Sequence, residues 1–574
     1  MIPIATETEK KPSAVEVVKR QSHHLRGAIT EELANDSATF TEASRQLLKF
    51  HGVYPQDDRD LRRSLRQAGK EPRHIMMVRA RIPGGILSAE QYLTCDDVTS
   101  RYGGGSLRIT TRQTFQFHYV LKSNLQSTIR ELNAALVTTL NGCGDQARNV
   151  ISCAEPMTGS AHEELACDRA ALVTAIGAKT NAYQEIWLDG QKIAEDAQET
   201  EEPLYGDVYL PRKFKFGFAL AGDNCVDIYS NDIGLVAHVD DGHISGYTLL
   251  AGGGMGRSAG VKATYARLAS PLGFIPRGDL VPAALAALTV FRDFGNRSDR
   301  RFARLKYLLD DRGLVWFRDE VASRLDHPLA APRPLLWQRA EDHLGWNSQG
   351  DGHWYLGLFV ENGRITDGHE GTLKSALRTI VERWRPEVHL TTQQNIILAG
   401  FLPKDRSAVE TVLKAAGVRL PWEVSKTRRN AMACVGLPTC GLAVADSERA
   451  LPQLLPAFEA LFNDLGLGDD DISIRMTGCS NGCARPYISD IAFVGRSLGK
   501  YDVLLGGDFL GTRLNQIYQE LVPMDQIYAS VAPVIAAFAA ERRDHERFGD
   551  FCVRVGLERL REMAVSPASG NPRP

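Results

Sequence analysis

Apolar residues recur at helical spacing in two stretches late in the chain, residues 451–465 and 522–542. This spacing predicts two helices that each bury one face in a core. Shorter stretches rich in β-branched and aromatic residues end at glycine-rich or polar turns, which is typical of strands. Two of these strands share the sequence Thr-Thr-x-Gln, which begins at Thr110 and again at Thr391. The pattern predicts a mixed α/β chain and suggests an internal repeat.

A second pair of matching motifs supports the repeat. The sequence Arg-Asn-x-x-x-Cys begins at Arg148 and at Arg429, with the same offset of 281 residues as the Thr-Thr pair. Two matches in one register indicate a duplication. A third pair, at Tyr247 and Tyr501, has a shorter offset of 254 residues, so the second copy has lost residues in between. Each copy is predicted to be a strand–helix–strand unit followed by a larger α/β unit.

The repeats predict four units, at residues 21–145, 146–330, 331–424 and 425–565. Residues 1–20 are rich in Glu, Lys and Thr and are predicted to form a flexible N-terminal arm. Residues 324–339 contain three prolines and are predicted to link the two halves. Residues 566–574 are predicted to be a disordered tail.

Composition and charge exclude several classes of protein. The 574 residues are 43% hydrophobic and 24% charged, as in ordinary globular proteins. The chain has 67 basic and 70 acidic residues, a balance of −3 that gives no reason to expect nucleic acid or an anionic membrane as partner. No run of about 18 apolar residues and no signal peptide is found, so a cytoplasmic location is expected. In that reducing compartment, clustered cysteines favour metal binding or redox chemistry over disulfides.

Four of the ten cysteines lie in two stretches rich in glycine and proline, with the spacings C-x5-C and C-x3-C. They are Cys434, Cys440, Cys479 and Cys483. A disulfide pair, a zinc site, an iron–sulfur cluster and four unrelated buried thiols are the alternatives. Zinc usually takes tighter cysteine pairs, whereas a cubane cluster needs thiolates spread around a larger body. The spacing favours a cluster and leaves zinc and buried thiols open.

Basic residues recur in the first half as pairs at even spacing, which places both side chains on one face of a strand. The pairs are Arg79 with Arg81, Arg108 with Arg112, and Lys213 with Lys215. For any single pair, a solvated sheet face is the commoner explanation. The first-half Cys153 matches Cys434 but has no partner cysteines like those of the second half, so the first half is expected to serve another purpose there. A pocket for an anion or a polycarboxylate cofactor fits the basic pairs.

These motifs together resemble the sulfite and nitrite reductase haemoproteins, which carry a sirohaem coupled to a [4Fe–4S] cluster. The resemblance extends over nearly the whole chain. Beside the two cysteine stretches, the motifs that carry it are SHHLRG, RARIPGG, LRITTRQTFQFH, RNVISC, EIWLD, YLPRKFK, LLAGGGMG, FGNRSDRR and FGDFCVRVG. It implies an α/β (α+β) fold, internally duplicated, with a pseudo-two-fold arrangement of ferredoxin-like and larger α/β units around a central cofactor site.

The resemblance also implies roles for individual residues. The four cysteines hold the cluster, and Cys483 bridges it to the sirohaem iron. The residues that bind the substrate anion and supply protons are Arg81, Arg148, Lys213 and Lys215. The residues expected to contact the cofactors are Arg108, Arg112, Thr114, Gln116, His118, Asn149, Arg212, Gly252, Gly253, Gly254, Gln393, Gln394, Asn395 and Asn481. In some relatives the cysteine at the position of Cys153 is cross-linked to a tyrosine; here an unmodified core cysteine is expected.

The expected activity is the assimilatory six-electron reduction of sulfite to sulfide. At the position of Lys215 the chain resembles the sulfite reductases of this family, which have a second lysine there, whereas the nitrite reductases tend to have Asn. Sulfite is a dianion and gains more from an extra cation than nitrite does. A nitrite reductase, and a non-catalytic iron–sulfur electron carrier that has lost the haem, are the alternatives.

The electrons are expected to come from another protein. No G-x-G-x-x-G sequence that could bind NADPH follows a predicted strand. The expected donor is an NADPH-dependent flavoprotein subunit. The sequences MGR at 255–257 and GCARPY at 482–487 resemble the ferredoxin-dependent branch of the family, so ferredoxin is the alternative donor.

Overall fold

The computed structural model describes residues 11–189, 202–369 and 371–565. The first strand–helix–strand unit follows three short helices. The elements of this part are α1 (Ala14–Arg20), α2 (Ile29–Ala34), α3 (Glu42–Leu48), β1 (Val53–Asp57), α4 (Arg59–Gln67), β2 (His74–Arg79), β3 (Ile86–Leu87), α5 (Ala89–Tyr102), β4 (Leu107–Ile109), β5 (Phe115–Val120) and α6 (Leu125–Ala134). Helix α5 begins at a capping box in which Ser88 and Gln91 bond each other's backbone, and it ends at Gly103.

The larger unit of the first half is a mixed sheet with helices packed against it. Its elements are α7 (Ser160–Ala175), α8 (Asn181–Gln184), β6 (Phe216–Leu220), β7 (Ile233–Asp240), β8 (His243–Ala251), β9 (Ser270–Pro276), α9 (Leu280–Phe294), α10 (Leu305–Arg312) and α11 (Leu314–Ser323). The sheet order is β6-β7-β8-β9, with β6 parallel to β7 and the other pairs antiparallel.

The second half repeats this arrangement. Its strand–helix–strand unit contains β10 (Gly345–Ser348), β11 (Trp354–Leu358), β12 (Arg364–Ile365), β13 (Asp367–Gly368), β14 (Gly371–Thr372), α12 (Leu373–Trp384), β15 (Glu387–Leu390), β16 (Ile396–Phe401) and α13 (Arg406–Ala415). Its larger unit contains α14 (Lys426–Arg429), β17 (Ala431–Ala433), α15 (Leu451–Asp464), β18 (Ile474–Thr477), β19 (Ile491–Ser497), β20 (Lys500–Leu505), β21 (Gln516–Pro523), α16 (Ile527–Glu541), α17 (Phe548–Val555) and α18 (Leu557–Val565). Its sheet has the order β17-β18-β19-β20-β21, and the β19-β20-β21 part matches β7-β8-β9. The α/β fold class and the internal duplication are confirmed.

The two strand–helix–strand units exchange an edge strand. The first sheet has the order β1-β2-β5-β4-β12 and the second has the order β10-β11-β16-β15-β3, so each sheet ends in a strand from the other half. In the first sheet Arg364 pairs with Arg108, and in the second Val388 pairs with Leu87. Both added strands are two residues long and follow a tight turn with glycine at positive φ, Gly85 in one copy and Gly363 in the other. The exchange relates the halves by a pseudo-two-fold axis.

The buried apolar residues form two main clusters. The larger runs from Leu25 to Leu420 and joins the first three units. The second runs from Ala431 to Leu560 and fills the last unit. The proposed boundary between residues 424 and 425 falls between these two clusters.

Two expectations about the elements need correction. The flexible arm expected for residues 1–20 is wrong from Ala14 onward, because α1 is a helix whose Lys19 is fully buried, pairs with Glu16 at 2.5 Å and donates to the carbonyl of Leu210 at 2.9 Å. Residues 1–10 and the expected tail at 566–574 lie outside the described residues. The helix expected at 522–542 exists as α16 but begins later, because residues up to Pro523 belong to β21. The helix expected at 451–465 is confirmed as α15.

Within the described ranges, no helix has both the length and the apolar character that crossing a bilayer requires.

Candidate active site

A pocket lies where the two halves meet. Its lining residues are Thr111, Arg112, Ile151, Lys213, Lys215, Ser230, Met255, Gly256, Arg304, Asn481, Gly482, Cys483 and Arg485. Five of them are cationic, and among the described residues that line the pocket none is acidic. Carboxylates behind the lining pair with two of the five, Arg304 and Arg485, and the remaining positive charge makes the pocket suited to an anionic ligand.

The four cysteines of the second half are positioned by two neighbouring parallel strands. Cys434 directly follows β17 and Cys479 follows β18, and these strands pair through Ala433 and Met476. The carboxyl ends of parallel strands meet at one edge of a sheet, which brings the two cysteine loops together. Gly478 must be glycine because a Cβ there would lie 2.5 Å from the Ala445 carbonyl oxygen. The Gly478 amide donates to the Cys434 sulfur at 3.3 Å.

The placement of these thiols suits a multi-atom cationic cluster better than a single metal ion. Burial first, and then the charge of Cys483, raises the pKa of Cys434 and of Cys479 to about 12. Buried thiolates at this edge are therefore stable only with a cationic centre between them. In the described part of the chain, the four sulfurs do not form a group tight enough to share one ion. That separation fits a cubane cluster better than zinc.

Cys483 differs from the other three cysteines because it also lines the pocket. It is exposed, whereas Cys479 is buried. Thr111 of the first half donates to the Cys483 carbonyl at 2.9 Å, and the Asn481 amide approaches the Cys479 sulfur at 3.5 Å. A cluster held by the four thiols would therefore be in contact with whatever fills the pocket, through Cys483.

Lys213 and Lys215 both face the pocket, and the buried Phe214 and Phe216 alternate with them in sequence. Neither ammonium group forms an ion pair or hydrogen bond with any described residue. Burial lowers the pKa of both lysines well below its ordinary value, and nearby cations, Arg304 first for Lys213, lower it further. An anion in the pocket would reverse this effect, because it stabilises the charged ammonium.

Three arginines complete the cationic part of the lining, and hydrogen bonds to neighbouring residues hold each guanidinium group in place. Arg112 donates to the Asn231 side chain at 2.5 Å and to the Phe216 carbonyl at 3.0 Å. Arg304 forms a two-pronged contact with Asp232, the shortest at 2.8 Å. Burial, the largest influence, lowers the pKa of Arg112 to about 9.

Arg485 joins the two Thr-Thr motifs of the repeat. It donates to the carbonyls of Thr111 at 3.3 Å and Thr392 at 2.9 Å, and it pairs with Asp227 at 2.5 Å. Arg485 therefore fixes the pocket wall to both halves of the molecule. Arg304 and Arg485 were not singled out from the sequence, although Arg485 lies in the GCARPY stretch and Arg304 lies three residues after FGNRSDRR.

Two of the four expected anion-binding residues do not line the pocket. Arg81 turns away and donates to the Val173 carbonyl at 2.9 Å. Arg148 donates to the Gly144 carbonyl at 3.2 Å, although its charge is close enough to lower the pKa values of Lys213 and Arg112. The pocket in this structure thus brings together Lys213 and Lys215, with Arg148 behind them.

The expectation that Arg108 and Arg112 share a strand face is wrong. β4 ends at Ile109, and a hairpin turn closed by a bond from the Thr110 amide to the Thr114 carbonyl separates the two arginines. Arg108 has different surroundings, since it is 1% exposed and donates to Glu448 at 3.0 Å and to the Ala433 carbonyl at 2.9 Å. It stabilises the contact between the halves in this structure and is not part of the pocket lining.

The remaining expected cofactor contacts do not line the pocket, apart from Asn481. Thr114, Gln116 and His118 are buried in the hairpin of β4 and β5. Asn149 donates to the carbonyls of Ile82 and Arg112. Arg212 lies 3.6 Å from Asp145. In the second Thr-Thr motif and directly after it, Gln393 donates to the Ala340 carbonyl, Gln394 is buried and Asn395 donates to Asp342. The three glycines Gly252, Gly253 and Gly254 pack against Arg267, the Tyr229 carbonyl and Arg304, respectively. Met255 and Gly256, directly after these glycines, do line the pocket.

Two family models match the chain, and each matches it twice. The model described as "Nitrite and sulphite reductase 4Fe-4S domain" matches residues 170–329 and 424–571. The model described as "Nitrite/Sulfite reductase ferredoxin-like half domain" matches residues 67–135 and 347–416. The chain belongs to the nitrite and sulphite reductase family. The alternation of the two models along the chain follows the duplication seen in the fold.

Curated relatives of this family member carry the name "Sulfite reductase [NADPH] hemoprotein beta-component". Those of Staphylococcus saprophyticus and of a Paenibacillus species are each 43% identical over 548 residues, which is 95% of this chain and 96% of theirs. That of Xylella fastidiosa is 43% identical over 550 residues. The solved structure of Mycobacterium tuberculosis NirA has the same fold, with a TM-score of 0.78 over 96% of this chain and 98% of that one at 24% identity.

Membership in the family gives the chain its class and its cofactors. It is an oxidoreductase that carries a [4Fe–4S] cluster and a sirohaem. The residues present fit both groups: the four thiols lie at one sheet edge too far apart for a single ion, and the adjoining pocket is cationic.

Proposed function

We propose that this chain is the haemoprotein subunit of an assimilatory sulfite reductase, which reduces sulfite to sulfide with six electrons. The observation that carries the proposal is the pair Lys213 and Lys215 in a pocket without acidic lining residues, beside Cys483. A dianion is bound more strongly than a monoanion by such a set of cations. The relatives that share 43% of their residues with this chain are named as sulfite reductases.

Each part of the site has a role in this proposal. Cys434, Cys440, Cys479 and Cys483 would hold the cluster, and Cys483 would also reach the sirohaem. When bound, these two groups supply the electrons and the metal centre at which sulfite is reduced. The carboxylates of the sirohaem would be bound by arginines such as Arg112 and by the pocket amides, since planar guanidinium groups suit carboxylates.

The basic residues would bind the substrate and supply the protons that its reduction consumes. Converting sulfite, with sulfur at +4, to sulfide at −2 takes up six electrons and releases three oxygens as water, so protons must reach the substrate oxygens. The Nζ atoms of Lys213 and Lys215 would neutralise the anion and donate these protons. Arg148, which acts on Lys213 electrostatically, and Arg81 are proposed to join them once substrate and cofactors fill the pocket.

Reduction of nitrite is the second candidate reaction, and Lys215 is the feature that argues against it. A non-catalytic electron carrier is a poorer explanation, because electron transfer alone gives no reason to gather five cations around one pocket.

An electron-donor protein is part of the proposal. The word NADPH in the names of the relatives supports an NADPH-dependent flavoprotein subunit as the donor, with ferredoxin as the alternative. The loop after Cys440 offers a contact surface near the cluster, since Leu442 is 69% exposed and Val444 39% exposed. None of the ten cysteines, all of which belong to the described residues, forms a disulfide, which is consistent with the proposed cytoplasmic location.

Anaerobic turnover with reduced methyl viologen tests the proposed reaction. The purified, reconstituted chain would be supplied with sulfite or nitrite, and sulfide and ammonia would be quantified. A higher kcat/KM for sulfite with stoichiometric sulfide is expected. A preference for nitrite would show that the substrate assignment is wrong. Absorption bands of the cluster without those of a haem in the protein isolated from cells would favour the carrier.

A further inference from the structure

A second group of metal-binding side chains lies outside the pocket. It consists of Cys153, Asp223, Cys225 and His343, and one donor atom from each lies within 4.8 Å of all the others. None of these atoms belongs to the lining described above. Cys153 is the first-half counterpart of Cys434, so the two copies of the repeat have thiols at the same place in the fold but different partners for them.

We propose that these four side chains bind one zinc ion. The Cys153 sulfur lies 3.2 Å from Nε2 of His343, and that nitrogen lies 3.4 Å from Oδ2 of Asp223. The Cys153 sulfur lies 3.9 Å from the same carboxylate oxygen. A tetrahedral zinc ion with ligands at 2.0–2.3 Å holds its donor atoms about 3.3–3.8 Å apart. These three distances are close to the edges of a zinc tetrahedron, and the Cys225 sulfur lies within 4.8 Å of the other three donors.

The chemistry of the donors favours zinc over other common ions. Two thiols, one imidazole and one carboxylate form the mixed sulfur and nitrogen set that zinc takes, whereas magnesium and calcium take oxygen alone. Binding would displace the two thiol protons and leave a net charge of −1 on the site. Arg339, which lies 3.0 Å from Asp223 and 3.0 Å from Glu155, is placed to balance that charge.

The surroundings hold the donors in position. Cys225 and Asp223 lie in one turn, where the Cys225 amide donates to Oδ1 of Asp223 at 2.9 Å. Oδ2 lies towards Cys153 and His343 and also accepts from Nε of Arg339 at 3.0 Å, so zinc would share this oxygen with the guanidinium group. Cys225 belongs to a small buried apolar cluster, against which Cys153 packs, so water is excluded on that side. Nδ1 of His343 lies 3.4 Å from Glu155, which can orient the ring as carboxylates do for zinc-bound histidines. Nδ1 also contacts Arg339 at 2.7 Å, a bond that Glu155 would replace when Nε2 binds the metal.

The position of the site gives the ion a structural purpose. His343 lies in the segment that connects the two halves, whereas the other three donors belong to the first half. The neighbouring Asp342 accepts bonds from Thr391 and Asn395, and the Cys225 carbonyl accepts one from Thr392 at 2.7 Å. The ion would thus fix the connecting segment against the second Thr-Thr motif, whose Thr392 carbonyl accepts from Arg485 at the pocket.

Zinc content and zinc X-ray absorption test the proposal in the holoenzyme. Protein from zinc-supplemented cells would be dialysed against a weak chelator, and zinc and iron would be counted by mass spectrometry. One zinc per chain is expected, in addition to the iron of the cofactors. The zinc absorption edge is separate from that of iron, so its spectrum should show two sulfur neighbours at about 2.3 Å and two lighter neighbours at about 2.0–2.2 Å.

Substitutions localise the ion. Cys225→Ser and His343→Asn should each lose zinc and retain iron, and Glu155→Gln should weaken zinc binding roughly 10- to 100-fold. Cys167→Ser is the matched control, because Cys167 is an exposed free cysteine on α7. Retained iron and an unchanged circular dichroism spectrum show that a variant has folded. If Cys225→Ser does not fold, His343→Asn alone decides.

Several results would overturn the proposal. They are less than about a tenth of a zinc per chain after incubation with excess zinc, full zinc content in both His343→Asn and Cys225→Ser, and four sulfur neighbours, which would place zinc at the cluster cysteines. A disulfide between Cys153 and Cys225 in protein isolated under reducing conditions would equally exclude the site. None of these results depends on the turnover of sulfite, so the zinc proposal and the proposed function fail separately.

Discussion

At the scale of single residues, the pocket combines two arginines that have carboxylate partners with two lysines that lack partners in the described part of the chain. Lys213 and Lys215 have none among the described residues, and burial lowers the pKa of each. Holding two unpaired ammonium groups beside three arginines costs folding free energy, which the bound anions must offset. Substitutions of these lysines should therefore alter ligand binding more than stability.

Lys215→Asn should separate the two candidate substrates. Loss of one charged contact costs about 1.5–3 kcal/mol, so kcat/KM for sulfite should fall roughly 10- to 150-fold. The fall for nitrite should be smaller because it carries one charge. Steady-state assays with methyl viologen measure both values. Lys70→Asn, at an exposed lysine beyond α4, is the control, and equal losses for both substrates would remove Lys215 as the discriminating residue.

Asp490 makes the stability of the protein depend on pH. Burial raises its pKa to about 6, and one carboxylate oxygen lacks a hydrogen-bond partner. A raised carboxyl pKa favours the folded state fully below the unfolded value of about 3.9, and this contribution is lost as the pH rises through 6. Asp490→Asn keeps an acceptor for Ser473 and removes the charge. The melting temperature of the variant minus that of the wild type should increase between pH 4.5 and 7. A difference that does not change with pH would contradict a raised pKa for Asp490.

At the scale of elements, even spacing in the sequence predicts that two side chains share a face only where the chain does not turn between them. It succeeds at Lys213 and Lys215, because Phe214 and Phe216 fill the opposite face. It fails at Arg108 and Arg112, because the chain reverses between them through a turn in which Gln113 has a φ of 53°. The turn residues Thr-Thr-Arg-Gln carry no glycine or proline, so local composition does not indicate a reversal there.

The exchanged strands depend on two equivalent glycines. Gly85 and Gly363 both have positive φ, and an added Cβ would lie 2.3 Å from the Leu390 oxygen in one case and 2.5 Å from the Ile109 oxygen in the other. Gly85→Ala and Gly363→Ala should each lower the melting temperature, since strain of about 1–3 kcal/mol adds to the overlap. Gly69→Ala is the control for the cost of positive φ without steric overlap, because Gly69 has a φ of +65° and an added Cβ would have no atom within 4 Å. An equally small effect of all three substitutions would show that the exchange contributes little to stability.

At the scale of the whole molecule, buried ion pairs join the two halves. Asp227 of the first half pairs with Arg475 at 2.7 Å and with Arg485 at 2.5 Å. Glu448 of the second half accepts from Arg108 at 3.0 Å and from Arg364 at 2.6 Å. Removing one member leaves a buried charge alone, which is costly even where the intact pair contributes little.

Glu448→Gln should therefore destabilise the protein by about 3–5 kcal/mol. Arg108 is 1% exposed and would lose its carboxylate. Thermal unfolding of the cofactor-loaded enzyme measures the effect. Asp60→Asn breaks the exposed pair with Arg449 and should cost at most about 1 kcal/mol. The double substitution Glu448→Gln with Arg108→Met should recover part of the loss, and no recovery would mean that Arg108 is not the charge at issue.

The sequence was sufficient for the duplication, because matching motifs recur at one offset, and it predicted correctly that Lys213 and Lys215 face the same way, because they lie two residues apart. The role of the four cysteines stays a prediction, and the structure brings their two loops to one sheet edge. It was insufficient for Arg304 and Arg485, whose place in the pocket depends on contacts with Asp232 and Asp227. Arg81 and Arg108 were assigned from even spacing and from family motifs, and the structure gives their guanidinium groups other partners. Contacts between distant segments have no periodicity, so local patterns do not reveal them.

The strand exchange also has a consequence during synthesis on the ribosome. The edge of β4 ends at Ile109, but its partner β12 ends at Ile365, 256 residues later (365 − 109). At about 5–20 residues per second, the nascent first half waits roughly 13–50 s with this edge unpaired. An open edge can pair with another chain, and short, charged edges resist this. With three residues and Arg108 at its centre, β4 has both of these protections until the second half emerges.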